Sequence, residues 1–287
     1  MLKQTCALAL VLCVLASLGP AKAADLVVSA NDGKFVRVGG AATFPRPAPP
    51  DSLVVIDAEK SPPAIVATLE GIEHTVQGPP QAVAITPDGK LAVVGAPSRW
   101  DDATGKEVFD PFLQVVDLES SPPKLIGKVE IGGHPNGLAI NGAGTLLLAA
   151  GTDGSVRVLS IEGKTVKLLN TIKLSERRLG SAAFTHDGKA ALVGFRDDGG
   201  LAVLNVDGQT VTDSKERVST GIAPYSIDVA SDGKSAVVSN VGLMGLAGFP
   251  SSSSAGDADS VTLLDVSRRP FRAVQFLTVP ATPEGVA

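Results

Sequence analysis

Short apolar runs alternate with glycine-containing turns along the chain, and one such unit is repeated. The clearest copy, residues 78–96, reads GPPQAVAITPDGKLAVVGA and holds two apolar runs around an Asp-Gly pair. Runs this short and rich in Val, Ile and Ala favour strands, and an Asp-Gly pair accepts the positive φ of a tight hairpin turn. The pattern therefore predicts a β-hairpin in every copy. The other copies lie at residues 133–151, 177–195 and 222–240, and a fainter one begins at Val27.

Two further strands are predicted after each hairpin. A third strand reads SLVVIDA at residues 52–58 and SVTLLDV at residues 260–266, and a fourth follows after a turn. The hairpin turns recur every 44 to 56 residues, which is typical of a β-propeller blade. We therefore predict an all-β propeller of four-stranded antiparallel blades. The predicted blades cover about residues 24–76, 77–131, 132–175, 176–220 and 221–280.

The two ends of the chain carry distinct signals. Residues 1–23 hold an early lysine, an apolar run and an Ala-Lys-Ala sequence before Ala24, which predicts a cleaved export signal. Residues 281–287, ATPEGVA, match the starts of the predicted first strands, so we expect the first strand of a further blade there. Closed rings pair strands from both termini to remove free edges. Because the mature N-terminus also starts with a predicted first strand, we expect five blades of a truncated ring.

The repeats resemble those of the bacterial lactonase-like, or YVTN-type, β-propellers. The resemblance rests on residues 80–94 with LQVVDLE, and on residues 224–240 with SVTLLDV, and it covers nearly all of the chain after the export signal. Members of this family typically have seven blades, so the resemblance implies a truncated seven-bladed propeller. The family includes lactone hydrolases as well as surface-layer and binding proteins. The resemblance therefore implies a specific fold but leaves several activities open.

Charge and cysteine content restrict the class of partner. Removal of residues 1–23 changes the net charge from −5 to −7, because this segment holds two lysines and no acidic residue. A mildly acidic protein is a poor ligand for nucleic acid or an anionic membrane, and we expect no membrane insertion after signal cleavage. Both cysteines, Cys6 and Cys13, lie in the signal. The mature protein therefore has no disulfide and no cysteine metal site.

Ligand contacts are expected on one face of the disc. The connection into the innermost strand and the loop from second to third strand open on that face, and loops on a rigid scaffold carry function. The Asp-Gly-Lys turns lie on the opposite face, and we interpret Lys34, Lys90, Lys189 and Lys234 as structural. Polar strand starts are equally expected at any wet channel. The predicted binding residues are Gln81, Asn136, Tyr225, Arg196 and Asn240.

One position inside the predicted channel is apolar in three hairpins and acidic in the last. Ala84, Ala139 and Ala183 are replaced by Asp228 in the last hairpin, and a carboxylate inside a protein needs a partner, water or a metal. Asp228 is therefore either functional or a hydrated structural group. In a lactone hydrolase a carboxylate or histidine would act as base and an arginine would stabilise the oxyanion. The candidate catalytic residues are Asp228, Glu284, His134 and Arg178.

Three predicted loops between second and third strands are long, at residues 41–52, 97–112 and 241–260. The second holds Arg99 and the single tryptophan, Trp100, which suit either ligand contact or anchoring of the loop. The third contains a serine run, Ser251 to Ser254, typical of a flexible segment. Acidic residues in the second loop could bind calcium, although a solvated acidic loop explains them as well. These residues are Asp101, Asp102 and Asp110.

No catalytic, phosphate-binding or zinc motif is recognisable, and no cofactor is evident. The main hypothesis is therefore an exported, periplasmic or secreted propeller that binds a small polar ligand or another exported protein on its channel face. The alternative is a lactonase-like hydrolase that opens a small lactone. A third possibility, a redox-partner subunit, would need haem or quinone from elsewhere, since no C-x-x-C-H sequence is present.

Overall fold

A computed structural model describes residues 25–39, 41–78, 81–242 and 258–287. None of these residues lies in a helix, so this part of the chain contains no helix able to cross a bilayer. The predicted all-β composition is thereby confirmed. The predicted export signal and the Ser251–Ser254 run lie outside the described residues.

Five sheets follow one another along the chain, and we call them blades 1 to 5. Blade 1 has three strands in the order β1-β4-β5, and a separate hairpin pairs β2 with β3. The bounds are β1 (Leu26–Asn31), β2 (Val36–Val38), β3 (Ala41–Thr43), β4 (Ser52–Asp57) and β5 (Ala64–Glu70).

Blade 2 has four antiparallel strands in the order β11-β10-β7-β6, with a hairpin of β8 and β9 inserted between its second and third strands. The bounds are β6 (Val83–Ile85), β7 (Leu91–Val94), β8 (Ser98–Asp101), β9 (Lys106–Phe109), β10 (Phe112–Asp117) and β11 (Lys124–Glu130).

Blades 3, 4 and 5 each have four antiparallel strands in chain order, as predicted. Blade 3 comprises β12 (Pro135–Ile140), β13 (Leu146–Gly151), β14 (Ser155–Glu162) and β15 (Thr165–Lys173). Blade 4 comprises β16 (Ala182–Phe184), β17 (Ala190–Gly194), β18 (Leu201–Asp207) and β19 (Thr210–Val218). Blade 5 comprises β20 (Pro224–Val229), β21 (Ser235–Asn240), β22 (Ser260–Asp265) and β23 (Arg272–Thr278).

The hairpin turns are held by a repeated side-chain contact. In blade 2 the Thr86 hydroxyl donates to the Asp88 carboxylate at 2.6 Å, and the same carboxylate accepts the Lys90 amide at 3.2 Å. Thr185 and Asp187 make the equivalent bond at 2.7 Å in blade 4. Short polar side chains that bond the local backbone stabilise turns. The Asp-Gly pattern therefore marks these two turns correctly.

Consecutive blades pack face to face through apolar clusters. One cluster joins each successive pair, from blades 1 and 2 to blades 4 and 5. The innermost strands β6, β12, β16 and β20 are neighbours in that order. They approach closely where the sequence has glycine, since a Cβ on Gly137 would lie 2.6 Å from the Gly180 carbonyl oxygen. This is the radial arrangement that the repeat predicts.

The first repeat differs from the prediction. Residues from Val27 were predicted to form a hairpin around Asp32-Gly33, but β1 pairs with β4 and β2 pairs only with β3. In the other blades the third strand pairs with the second strand, so β1 occupies a second-strand position and blade 1 has no innermost strand among the described residues. The prediction that the mature chain begins with a first strand is therefore wrong.

Lys34 is the physical reason for that difference. Unlike the lysines of the true turns, it is only 4% exposed, and its ammonium lies 2.6 Å from Asp51 and 3.2 Å from Asp32. It also donates to the His74 carbonyl. These contacts fold residues 32–34 inward against the start of β4 and the end of blade 1, which removes them from a surface turn. Lys34 therefore has a structural role, as interpreted from the sequence, but it does not lie in a hairpin turn like Lys90, Lys189 and Lys234.

We expect Lys34→Met to destabilise the protein by about 3–5 kcal/mol, because it leaves the buried carboxylates of Asp32 and Asp51 without their cation. The matched variant Lys90→Met removes a half-exposed lysine paired with Glu119 and should change stability by less than about 1 kcal/mol. Urea unfolding of both variants measures the difference. Equal losses in the two variants would contradict the structural role assigned to Lys34.

Candidate functional site at the channel mouth

Arg196 is a buried cation without a complete set of partners. It follows β17, is 8% exposed, and its Nη1 atom has no hydrogen-bond partner in the described part of the chain. The guanidinium carbon lies 4.8 Å from the centre of the Tyr225 ring, which is a cation–π distance. Burial lowers the pKa of Arg196, although an arginine remains charged at neutral pH. An unpaired buried charge is costly, and an anionic ligand would relieve that cost.

The Tyr225 ring lies against the Arg196 guanidinium. It is buried at the start of β20, and its hydroxyl donates to the Gly78 carbonyl oxygen at 2.5 Å. Burial raises the pKa of the Tyr225 hydroxyl, and the negative charge of Glu284 raises it further. The ring therefore stays protonated and fixed, which holds the position of Arg196.

Arg178 lies near Arg196 and Tyr225, and we call this part of the channel its mouth. The Arg178 side chain is already paired. Its Nε and Nη2 atoms each donate to a carboxylate oxygen of Asp197 at 2.8 Å. This bidentate contact raises the pKa of Arg178. Asp197 was not among the predicted site residues, and its place directly after Arg196 is the only sequence signal that could have indicated it. Arg178 therefore has a carboxylate partner, whereas the buried Nη1 of Arg196 has no hydrogen-bond partner among the described residues.

Glu284 reaches the mouth from the C-terminal segment. Its backbone carbonyl accepts hydrogen bonds from the hydroxyls of Ser226 and Ser239, which positions the segment against blade 5. Its carboxylate lies close enough to act electrostatically on Tyr225 and Arg196, and it raises the pKa of both groups. Among the described residues, the mouth therefore combines a buried arginine whose Nη1 lacks a partner with the exposed carboxylate of Glu284.

His134 is held away from this cluster by the inserted hairpin of blade 2. Its Nδ1–H donates to the Asp110 carbonyl at 3.1 Å, and its ring lies 5.0 Å from that of Phe109. Burial lowers the pKa of His134. His74 has the same environment, with its Nδ1–H bonded to the Gly95 carbonyl at 3.1 Å and its pKa lowered by burial. Both imidazoles are neutral at pH 7.

Asp228 lies below the mouth. It lines a cavity of about 610 Å³ together with Ala84, Ala139 and Ala183, the three residues at the equivalent positions of the other blades. In the described residues no hydrogen bond or ion pair joins Asp228 to the mouth. Of the four candidate catalytic residues, the structure thus brings only Arg178 and Glu284 to one place.

Three predicted ligand-binding amides make hydrogen bonds inside the protein, and two of them join different blades. Gln81 donates to the Ile227 carbonyl at 2.6 Å and accepts the Ile227 amide at 3.2 Å, which joins blade 2 to blade 5. Asn136 donates to the Leu179 carbonyl at 2.8 Å. Asn240 donates to the Thr262 hydroxyl at 2.9 Å within blade 5. The bonds of Gln81 and Asn136 go to the backbone of other blades, whereas Asn240 bonds a side chain, and its Oδ1 has no partner among the described residues.

Trp100 anchors one hairpin on another. Its indole lies 4.6 Å from the Phe44 ring, and the Arg46 guanidinium lies 4.0 Å above it. Arg99 forms an ion pair with Asp110 at 3.4 Å. Both contacts fix the β8–β9 hairpin, as expected of a loop anchor.

The acidic residues of this hairpin make local contacts. Asp101 accepts the Thr104 hydroxyl at 2.8 Å, and Asp102 lies 3.7 Å from Arg46. Within the described ranges no three His, Cys, Asp or Glu side chains are grouped as metal ligands would be. The structure therefore offers no calcium cage at Asp101, Asp102 and Asp110.

Comparison with known proteins supports the fold. No protein-family model and no curated protein sequence matches the chain. Among solved structures it is similar to a periplasmic gluconolactonase of Pseudomonas aeruginosa, with a TM-score of 0.58 and 20% identity over 80% of this chain and 64% of that one. It is also similar to a putative 6-phosphogluconolactonase of Bacteroides fragilis, with a TM-score of 0.58 and 14% identity over 88% and 81% of the two chains.

Another similar structure is hydrazine synthase of Kuenenia stuttgartiensis, with a TM-score of 0.51 and 19% identity over 72% of this chain. The chain spans about half of that protein, 51% of its length. At these identities the comparisons establish the fold alone. The chain has a β-propeller fold.

The two buried histidines predict a loss of stability in mild acid. Their pKa values are lowered in the folded protein, so the unfolded chain binds more protons below about pH 6.5. The free energy of unfolding should therefore be highest above about pH 6.5 and fall as the pH decreases. His74→Gln should reduce this decrease, whereas His186→Gln, at an exposed turn, should leave it unchanged. Urea unfolding at about pH 7 and about pH 5 measures it, and parallel losses in all three proteins would contradict the prediction.

Proposed function

We propose that this protein is a lactonase-like hydrolase that opens a small lactone at the channel mouth. The observation that carries the proposal is the buried guanidinium of Arg196, whose Nη1 has no partner in the described residues. A fixed positive group in a site that excludes water stabilises an oxyanion far more than it would in bulk solvent. Similarity in fold to a gluconolactonase and a putative 6-phosphogluconolactonase supports this reaction class.

The proposed reaction is addition of water to the lactone carbonyl. The Glu284 carboxylate takes a proton from the attacking water, and the new carbon–oxygen bond places negative charge on the carbonyl oxygen. Arg196 stabilises that charge. The carbon–oxygen bond to the ring oxygen then breaks, and the ring oxygen receives the proton from Glu284. The product is the open-chain hydroxy acid, with no other reactant consumed.

Binding without chemistry is the second candidate, and one observation favours it. The buried Nη1 atom of Arg196 has no partner among the described residues, whereas Arg178 and Tyr225 each donate to a protein oxygen. A single cation is enough to bind an anionic ligand, whereas hydrolysis also requires the base. The same site would then hold a small polar ligand or the acidic group of another exported protein.

Two further parts of the proposal concern the whole protein. The predicted export signal and the similarity to a periplasmic enzyme support action in the periplasm. The family resemblance supports a ring of seven blades, of which this chain would supply five. Cofactor use is not required by the proposed chemistry.

Arg196→Met should lower the hydrolysis of gluconolactone or 6-phosphogluconolactone by about 10²–10³-fold, the effect of losing one oxyanion donor. Because Arg196 is buried and incompletely paired, the same variant should unfold at an unchanged or higher temperature. Arg272→Met is the matched control, since Arg272 is an exposed residue of the outer strand β23, paired with Asp265. Its activity should equal that of the unmodified protein. Initial rates and thermal unfolding measure both effects.

The outcomes separate the two candidates. Turnover that is lost in Arg196→Met and in Glu284→Gln supports the hydrolase. Saturable binding of 6-phosphogluconate without turnover, lost in Arg196→Met, would replace hydrolysis by binding. Equal turnover in Arg196→Met and Arg272→Met would refute the site.

A further inference from the structure

The cavity lined by Asp228 differs from the channel mouth in the residues of its wall. It is an open cavity between the innermost strands β6, β12, β16 and β20, and its volume of about 610 Å³ lies within the range of small-ligand sites. Its wall combines the three aligned alanines with polar residues, among them Gln81 and Thr185. Asp228 is the acidic residue of this lining, and His186 lies at the lower end.

Asp228 differs from the other carboxylates on the innermost hairpins. Asp88 and Asp187 each bond a threonine hydroxyl and a backbone amide in their turns. Asp228 is half-buried, and no hydrogen bond or ion pair is formed by its carboxylate in the described part of the chain. The repeat places alanine at this position three times, so the strand itself does not need a polar group there. A carboxylate without a partner among the described residues, next to three alanine methyl groups, favours a cationic occupant that also has an apolar part.

The surroundings decide which kind of cation fits. A calcium ion takes six to eight oxygen ligands, and magnesium needs an octahedral set. The described residues offer no group of three acidic, histidine or cysteine side chains, so Asp228 alone cannot replace the hydration of a metal. A primary ammonium needs one acceptor for a charge-assisted hydrogen bond, and its carbon chain can contact the alanine methyl groups of the wall.

We propose that this cavity binds a primary ammonium compound with an aliphatic body of a few carbons. Asp228 accepts a hydrogen bond from the ammonium, and the walls of β12 and β20 contact the carbon chain. The net charge of −7 after signal removal favours the approach of such a cation. The site is separate from the channel mouth and does not depend on the proposed hydrolysis.

The test is a titration of the purified protein with n-butylammonium chloride, and with n-butanol as the uncharged probe. We expect saturable binding of n-butylammonium, weakened about tenfold or more in Asp228→Asn, which keeps the shape of the side chain but removes its charge. Butanol should bind both proteins equally weakly. Asp207→Asn is the matched control, because it makes the same charge change at an exposed end of β18. Chemical shifts of the Ala84, Ala139 and Ala183 methyl groups report the location.

Each outcome bears on the proposal. Weakening in Asp228→Asn alone, with shifts at the three alanine methyls, supports it. Equal weakening in both variants would show diffuse attraction to an acidic protein and would overturn it, as would tighter binding of butanol than of n-butylammonium. Thermal unfolding of Asp228→Asn establishes that the variant is folded, and Asp228→Glu, which retains the charge, should bind n-butylammonium more tightly than Asp228→Asn does.

Discussion

Close packing of successive sheets around a narrow axis is the constraint on which the other features depend. Each sheet buries one face on the sheet before it and the other on the sheet after it, through the apolar clusters between blades. The innermost strands must therefore come near one another, and glycine is required where backbones meet, as at Gly137 and Gly180. Between β6 and β20 the contact is made by a side chain. The Gln81 amide bonds the backbone of Ile227 as a neighbouring strand would. The channel is thus an outcome of packing, and its chemistry depends on the few positions that packing leaves free.

Arg196 occupies a channel position that the packing of the sheets does not require to be charged. Stability alone would favour an apolar residue there, because a buried guanidinium with an unpaired Nη1 loses hydration without full compensation. The Tyr225 ring recovers part of that loss, and the bond from Tyr225 to Gly78 keeps the ring in place. A charge held rigidly in this way needs no reorganisation when a ligand arrives. The neighbouring Arg178 is satisfied by Asp197, so the two arginines have different roles although both lie at the mouth.

Local patterns predicted the hairpins of blades 2 to 5 because a turn is decided by adjacent residues, such as Thr86 and Asp88. The same Asp-Gly pattern failed at Asp32, where the deciding partners of Lys34 are 17 and 40 residues away in the sequence. The polar residues predicted to bind a ligand also have partners that are distant in the sequence. The amides of Gln81 and Asn136 read as ligand contacts, but their partners are backbone groups 146 and 43 residues away. The unpaired state of Arg196 is likewise a property of the assembled fold, and a sequence shows only that an arginine is present.

The net charge of the protein also acts differently on ligands that approach Arg196 and Asp228. The chain is acidic, so its long-range potential repels an anion approaching Arg196 and attracts a cation approaching Asp228. Salt at physiological strength screens that potential within about 8 Å. Recognition of an anion at the mouth must therefore depend on the short-range hydrogen bond and the exclusion of water at Arg196, whereas the carboxylate below it gains from the overall charge. In the part of the chain that the structure describes, Arg196 and Asp228 thus lie at different depths of the channel, and the net charge of the protein favours opposite kinds of ligand at the two positions.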